Sequence, residues 1–335
     1  MSEAQSSAMT PDRRVYIAGH SGLVGSALVR RLNADGYTRL LTRTHATLDL
    51  TDARATAEYF SLVKPEYVFL AAAKVGGIHA NNTYPADFIG ENLAIQSSVI
   101  RAAHVHGVKR LLFLGSSCIY PRLAHQPIKE SSLLTGPLEP TNRAYALAKI
   151  AGIEMCWSHN RQHGTRFLCA MPTNLYGPGD NYNLADSHVI PALLRKFHEA
   201  KLRGDPKVMV WGTGTPRREF LSSDDMASAS AHLMSLPDPA FDSLLGSDEV
   251  VSRRFEPPLV NIGVGEDITI RELADIVRDV VGFAGRIALD TTKPDGTPRK
   301  LLDVRLLHAT GWRAGTRLRD GLAAAYADFL THARA

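Results

Sequence analysis

The chain has 335 residues, of which 44% are apolar and 21% charged, a balance that supports one large or two medium domains with a sizeable core. Basic residues exceed acidic ones by four and are scattered rather than gathered into a stripe, which argues against nucleic acid and suits a small anionic ligand. The three cysteines, Cys118, Cys156 and Cys169, form no C-x-x-C pair, so neither a disulfide framework nor a zinc site is indicated, and no metal is expected.

Met1 to Asp12 lacks the apolar core of a signal peptide and is expected to be a disordered tail. No run of about 18 apolar residues follows that could span a membrane, so a cytoplasmic protein is expected. Arg14 to Ala18 reads as a short buried strand. It runs into Gly19-His20-Ser21-Gly22-Leu23-Val24-Gly25 and the helical stretch Ser26 to Asn33. The glycines let the chain turn tightly and let a pyrophosphate approach free N–H groups at a helix N-terminus. The GxxGxxG spacing departs from the GxGxxG of the standard dinucleotide fingerprint and points to a particular branch of Rossmann-type enzymes.

The second strand, near Arg39 to Thr42, ends in Arg43-Thr44-His45 without an acid for a ribose 2′-hydroxyl. Arg43 and His45 favour a 2′-phosphate, hence NADP, and Asp49-Leu50 is placed to contact adenine. Tyr67 to Ala73 is a buried strand whose terminal alanines, Ala72 among them, leave room for a flat nicotinamide cofactor. Lys74 to Asn82 is a polar loop before a long helix from about Pro85 to His106. The strand Arg110 to Leu114 delivers Gly115-Ser116-Ser117-Cys118.

Tyr145 and Lys149 lie four positions apart on a helix continuing to about Gln162. The ammonium should therefore lie beside the phenol and favour its anion, making Tyr145 an acid or base near neutral pH. Ser116, leaving a buried strand, can hydrogen-bond the same substrate oxygen. A lone Tyr-x-x-x-Lys is a weak signal; its place downstream of a glycine loop and a strand ending in small residues gives it weight. The two long helices carry small and apolar residues on more than one face. A homodimer through a four-helix bundle would bury the extra face, and so would packing within the monomer. After the strand Phe167 to Met171, Pro172-Thr173-Asn174-Leu175 breaks regular structure near the nicotinamide end of the cofactor.

From about Asp180 the alternation loosens. The fold class expected is α/β: a Rossmann-type doubly wound parallel sheet over residues 13–180 plus about 219–236, with a smaller C-terminal α/β substrate-binding domain over 181–218 and 255–333. Ser187-His188-Val189-Ile190-Pro191 begins a helix through Lys196. Trp211 to Phe220 offers an aromatic face and, in Arg217 and Arg218, two guanidiniums suited to phosphate. Ser222 to Leu236 reads as a helix capped by Ser223 or Asp224. Asp238 to Pro258, with prolines at each end and little periodicity, reads as a surface excursion that does no chemistry. Val260 to Val264, the helix Thr269 to Val281 and Lys293 to Arg299 complete the second part.

The GxxGxxG loop, Ser116, Tyr145 and Lys149 together resemble the extended short-chain dehydrogenase/reductases that act on sugar nucleotides, the NAD-dependent epimerase/dehydratase family. The likeness runs from about Val15 to Leu330. It is most specific in Ala71 to Gly77, Asn81 to Asp87, Gly115 to Pro121, Ser187 to Leu194 and Lys293 to Lys300. The resemblance implies conversion of GDP-4-keto-6-deoxy-D-mannose to GDP-L-fucose, by epimerisation at C3 and C5 and then NADPH-dependent reduction at C4. It implies that Cys118 and His188 exchange protons at C3 and C5, an accessible thiolate and a titrating imidazole being suited to that work. It also implies cofactor contacts from Gly19, His20, Ser21, Gly22, Leu23, Val24, Gly25, Arg43, His45, Asp49, Leu50, Ala72, Leu114, Gly115, Ser117, Lys149, Pro172, Thr173, Asn174, Leu175 and His188. The GDP-sugar would be held by Lys196, Trp211, Arg218 and Asp295. Members of the family often carry arginines where Ser21 and His45 stand, so Arg43 and His45 would have to substitute in gripping the 2′-phosphate.

Three rival readings stay open. Another nucleotide-sugar 4-ketoreductase or epimerase would have no use for Cys118 and His188. A dehydratase would carry an acid just after the catalytic serine, where Ser117 and Cys118 stand. A redox-sensing NADP-binding protein without turnover would have no need of Tyr145 and Lys149.

Overall fold

The computed structural model describes residues 6–184, 187–246, 256–293 and 295–332. Its first half alternates strand and helix: β1 (Val15–Ala18), α1 (Leu23–Ala34), β2 (Leu40–Leu41), α2 (Ala53–Val63), β3 (Tyr67–Leu70), α3 (Ile78–Thr83), α4 (Pro85–Val105), β4 (Arg110–Leu114), α5 (Arg143–His163) and β5 (Phe167–Pro172). There follow β6 (Asn174–Tyr176), α6 (Val189–Arg203), β7 (Lys207–Trp211), β8 (Arg217–Arg218), β9 (Phe220–Ser222), α7 (Ser223–Ser235) and α8 (Asp238–Leu245). The chain ends with β10 (Leu259–Ile262), β11 (Ile268–Thr269), α9 (Ile270–Val281), β12 (Arg286–Asp290), β13 (Arg299–Lys300), α10 (Arg305–Ala309) and α11 (Leu318–His332).

Six strands form one parallel sheet in the order β10-β5-β4-β3-β1-β2. β1, β3, β4, β5 and β10 are buried at every position, which is why they read as unbroken apolar runs instead of alternating ones: helices cover both faces. Alternate residues of β1 serve opposite cores. Val15 and Ile17 pack with residues of α1, α7 and α8, while Tyr16 and Ala18 pack with residues of α2, α4 and α5. A third core, built by α6, α9 and α11 over the parallel pair β7 and β12, underlies the second part of the chain. The sheet β11-β8-β13 lies between these layers in sequence and carries Arg217, Arg218 and Lys300.

Four expectations are corrected. Within the tail expected to be disordered, residues 6–12 are held: Met9 is buried, its N–H donates to Met234 O at 3.1 Å, and the Tyr67 hydroxyl donates to Ser7 O at 2.8 Å. Residues 1–5 lie outside the described residues. The stretch read as a surface excursion begins with α8, whose Phe241 and Leu244 are buried and whose first residue, Asp238, accepts from Arg110 at 2.8 Å and Arg166 at 2.5 Å. Two turns of helix are too short to display a period, and residues 247–255 lie outside the described ones. The strand near Val260, expected in the second part, instead extends the central sheet beside β5. α7 is capped by Ser222, one residue earlier than expected, with Oγ accepting from Asp224 N at 3.2 Å.

Candidate active site

The glycine loop is shaped by two of its three glycines. Gly19 has φ of +85°, and a Cβ there would meet Ala72 N at 2.6 Å; a Cβ on Gly25 would meet Gly19 O at 2.0 Å. Nothing in the protein crowds Gly22, where the nearest atom to an added Cβ is Gly19 O at 3.6 Å, and Ser21 and Gly22 are exposed. Gly22 is also the N-cap of α1 and brings no side chain to the helix's free N–H groups. A loop tight against its own protein at two points and bare at the third fits a dinucleotide pyrophosphate laid over Gly22. Beside it, His20, Thr42, Arg43, Thr44 and Thr47 line an open cavity of about 280 Å³. The Arg43 guanidinium stands 5.0 Å over the Tyr59 ring. His45 is outside this lining, 84% exposed, with Nδ1 3.9 Å from Asp49 Oδ1. Asp49 itself accepts from Thr51 N and Oγ1, and Leu50 is buried.

Small residues bring β4's exit close to α5. A Cβ on Gly115 would meet Met171 Cε at 2.0 Å, so a larger residue here would have to push the end of the Met171 side chain aside. Ser116 caps the short turn Ser117–Ile119, its Oγ accepting from Cys118 N at 3.4 Å. Tyr145 packs edge-on against Phe88 of α4, with ring centroids 6.2 Å apart. Lys149 Nζ lies 5.7 Å from the Tyr145 ring centre, 4.9 Å from that of Phe113, and donates to Leu114 O at 2.8 Å.

This geometry corrects the electrostatic expectation. Lys149 is buried and its pKa is pushed down to about 8 by loss of water, while burial, then the neighbouring Cys118, push the Tyr145 phenol up rather than down. Burial likewise raises the Cys118 thiol, against the nearby charges of Lys300 and Lys149 and a hydrogen bond to Ser116, so the thiolate is not freely accessible. Desolvation is the common cause: helix spacing gives proximity, but closure of the site removes the solvent that both charged forms need.

The second half contributes His188 at the N-cap of α6, its side chain making no cap hydrogen bond and its pKa lowered by the chain packed around it. Lys196 and Lys293 place their Nζ atoms 4.8 and 5.6 Å from the exposed Trp211 ring. Both carboxylate oxygens of Asp295 accept from Thr213, at 3.0 Å from N and 2.7 Å from Oγ1. Arg218 Nη1 donates to Arg217 O at 2.8 Å, and the charge of Asp295 offsets the desolvation that lowers its pKa. Lys196, Trp211, Asp295 and Arg218 are thus neighbours.

Two residues without an assigned role emerge. Lys300 pairs in register with Arg218, lines a narrow crevice with Cys118, and exchanges charge interactions with both. Its sequence signal was the run ending Pro298-Arg299-Lys300. Glu219 is fully buried: its carboxylate accepts from Val264 N at 2.6 Å, Gly265 N at 2.7 Å and Leu302 N at 3.1 Å, and its carbonyl accepts from Asn174 Nδ2 at 2.8 Å. It fixes the 172–175 segment to the second part, and no local pattern announces it.

A parallel sheet with a bare glycine loop at one strand end and a Ser, Tyr and Lys set at another defines a nucleotide-dependent oxidoreductase of the Rossmann type. The chain belongs to the NAD dependent epimerase/dehydratase family, which it matches over residues 15–242. It is 56% identical over 313 residues to GDP-L-fucose synthase 1 of Arabidopsis thaliana, covering 93% of this chain and 92% of that one. It is 55% identical over 320 residues to GDP-L-fucose synthase of Escherichia coli K12, covering 95% and 97%. Among solved structures, a GDP-6-OMe-4-keto-L-xylo-heptose reductase from C. jejuni superposes with a TM-score of 0.90 at 38% identity, covering 97% and 99%. A GDP-L-fucose synthetase from Naegleria fowleri bound to NADP superposes with a TM-score of 0.86 at 27% identity, covering 99% and 97%.

Proposed function

We propose that the chain is a GDP-L-fucose synthase, converting GDP-4-keto-6-deoxy-D-mannose to GDP-L-fucose by epimerisation at C3 and C5 followed by reduction at C4. The observation that carries the reading is the seating of a thiol, Cys118, two residues from Ser116 and beside Tyr145 and Lys149. Hydride transfer alone gives a thiol nothing to do; proton exchange at carbons flanking a ketone does.

Hydrogens at C3 and C5 are acidic because the charge left behind moves onto the C4 oxygen. Ser116 and Tyr145 direct their hydroxyls at that oxygen and stabilise the enolate. Of Cys118 and His188, one takes the proton and the other returns one from the opposite face, and proton exchange of both groups with water resets the pair between the two epimerisations. Lys300 and Lys149 lower the cost of the thiolate. The glycine loop would hold NADPH, with Arg43 the residue suited to its 2′-phosphate, and the bound cofactor would supply the hydride that reduces C4. Tyr145 then gives its proton to the C4 oxygen, the same hydroxyl serving both halves. Lys196 and Arg218 hold the diphosphate, Trp211 offers a stacking face, and Asp295 stiffens the loop after Trp211 through Thr213.

The expected domain division goes with this proposal, with β10 moved to the first part: residues 13–180 and 219–236, joined by β10, hold the cofactor, and 181–218 with most of 255–333 hold the GDP-sugar. A cytoplasmic homodimer through α4 and α5 belongs to it too, supported by Leu147 on α5, which is 38% exposed, and tested by light scattering. No described helix is long and apolar enough to cross a membrane. The test of function is a panel of nucleotide-linked 4-keto sugars with NADPH. Oxidation of NADPH with the 6-deoxy-mannose substrate and formation of GDP-L-fucose are expected. Preference for a GDP-4-keto-heptose would replace this reading with that of the heptose reductase.

A further inference from the structure

At the opposite end of α5 from the active site stands a group of histidines that the reaction does not use. His104 lies in the last turn of α4; His159 and His163 lie one turn apart in the last turns of α5. One ring nitrogen from each falls within 4.8 Å of the others. Their rings are 4.1 to 5.4 Å apart, His104 and His163 being stacked. His159 Nδ1 is buried and has no hydrogen-bond partner among the described residues. His159 stands 14 residues beyond Tyr145, about 20 Å along the helix.

We infer that His104, His159 and His163 form a binding site for one borderline divalent transition metal, of the zinc, cobalt or nickel class, that staples the C-terminal end of α4 to that of α5. Three observations converge. Imidazole is the ligand these ions favour, and a three-histidine set leaves a fourth position for water. The two helices follow the parallel strands β3 and β4 and cover the same sheet face, so both C-termini, with their partial negative charge, end beside the cluster and favour a cation. An orphaned buried imidazole nitrogen is costly unless something binds it. In a tetrahedral site with metal–nitrogen bonds of about 2.0–2.1 Å, ligand nitrogens lie about 3.4 Å apart. Rotation of the stacked rings must therefore draw the set together; His163, exposed at the rim, is free to do so.

The test uses the full chain stripped with a chelator and titrated calorimetrically with Zn²⁺ at pH 7.5. One zinc per chain is expected, with a melting temperature that rises on binding. His163→Ala, a surface change, should weaken the affinity at least tenfold and remove the thermal shift while leaving turnover unchanged. His104→Asn should do the same. Co²⁺ should give a visible spectrum without a thiolate charge-transfer band. Unchanged zinc affinity in both variants overturns the inference, as does binding that Cys118→Ser abolishes and the histidine variants do not.

Discussion

Replacing Lys149 should make the protein more stable and less useful. The buried ammonium is displaced from an ordinary pKa of 10.5 to about 8 by desolvation, partly offset by Cys118. At about 1.4 kcal/mol for each tenfold change, keeping it charged at pH 7 costs the fold about 3 kcal/mol. Lys149→Met keeps the stem against Phe113 but loses the charge-assisted bond to Leu114 O, worth about 2 kcal/mol. The variant should therefore gain about 1 kcal/mol in urea unfolding at pH 7 while its reductase activity collapses. The pH dependence gives a second check. Below pH 8 the proton is on Lys149 in both states and the cost is constant. Between 8 and 10.5 the folded chain has released it and the unfolded chain has not, so raising pH stabilises the wild type and closes the gap by about pH 9. A variant that is destabilised at pH 7, or a gap that does not move with pH, would refute this reasoning.

Other consequences are as direct. Tyr145→Phe should cut reduction by about 10²–10⁴-fold while weakening solvent deuterium uptake less, because Ser116 still faces the developing oxyanion; full reductase activity would remove Tyr145 from its role. Cys118→Ala should suppress deuterium uptake at C3 and C5, and unchanged uptake would take the thiol out of the mechanism. Arg43→Ala should lower kcat/KM for NADPH by about 10–100-fold, the worth of a charge-assisted bond, with NADH little affected, whereas His45→Ala should change the ratio less because His45 lies outside the cavity. Glu219→Gln should lower the melting temperature, since three backbone N–H groups lose a carboxylate acceptor while the backbone carbonyl still holds Asn174; an unchanged melting temperature would show that Val264, Gly265 and Leu302 need no such anchor.

What could be read from the sequence was what depends on near neighbours. Gly19 and Gly25 declared themselves because the turn they make is closed within seven residues, and Tyr145 and Lys149 because helix geometry fixes their spacing. Buried strands could be read where every position is apolar. Arg110 shows the limit: it begins a fully buried strand, and its guanidinium is tolerable only because Met234 O, Leu236 O and Asp238, more than a hundred residues away, receive it. The same long-range partners turn α8 from an apparent excursion into part of the core. The sign of the Lys149 effect was misread for a related reason, since spacing along a helix says how close two groups come and nothing about how much water is left between them. His159 and His163 stand one helical turn apart, but two histidines on one helix announce no site, and only the fold brings His104 from another helix beside them.

The central claim is that one site both exchanges protons at C3 and C5 and reduces C4. The most direct test is to turn over GDP-4-keto-6-deoxy-D-mannose with unlabelled NADPH in deuterium oxide and read the product by NMR. GDP-L-fucose carrying deuterium at C3 and C5 and protium at C4 is predicted. A C4-reduced product with protium at C3 and C5 and the starting configuration at both would contradict it.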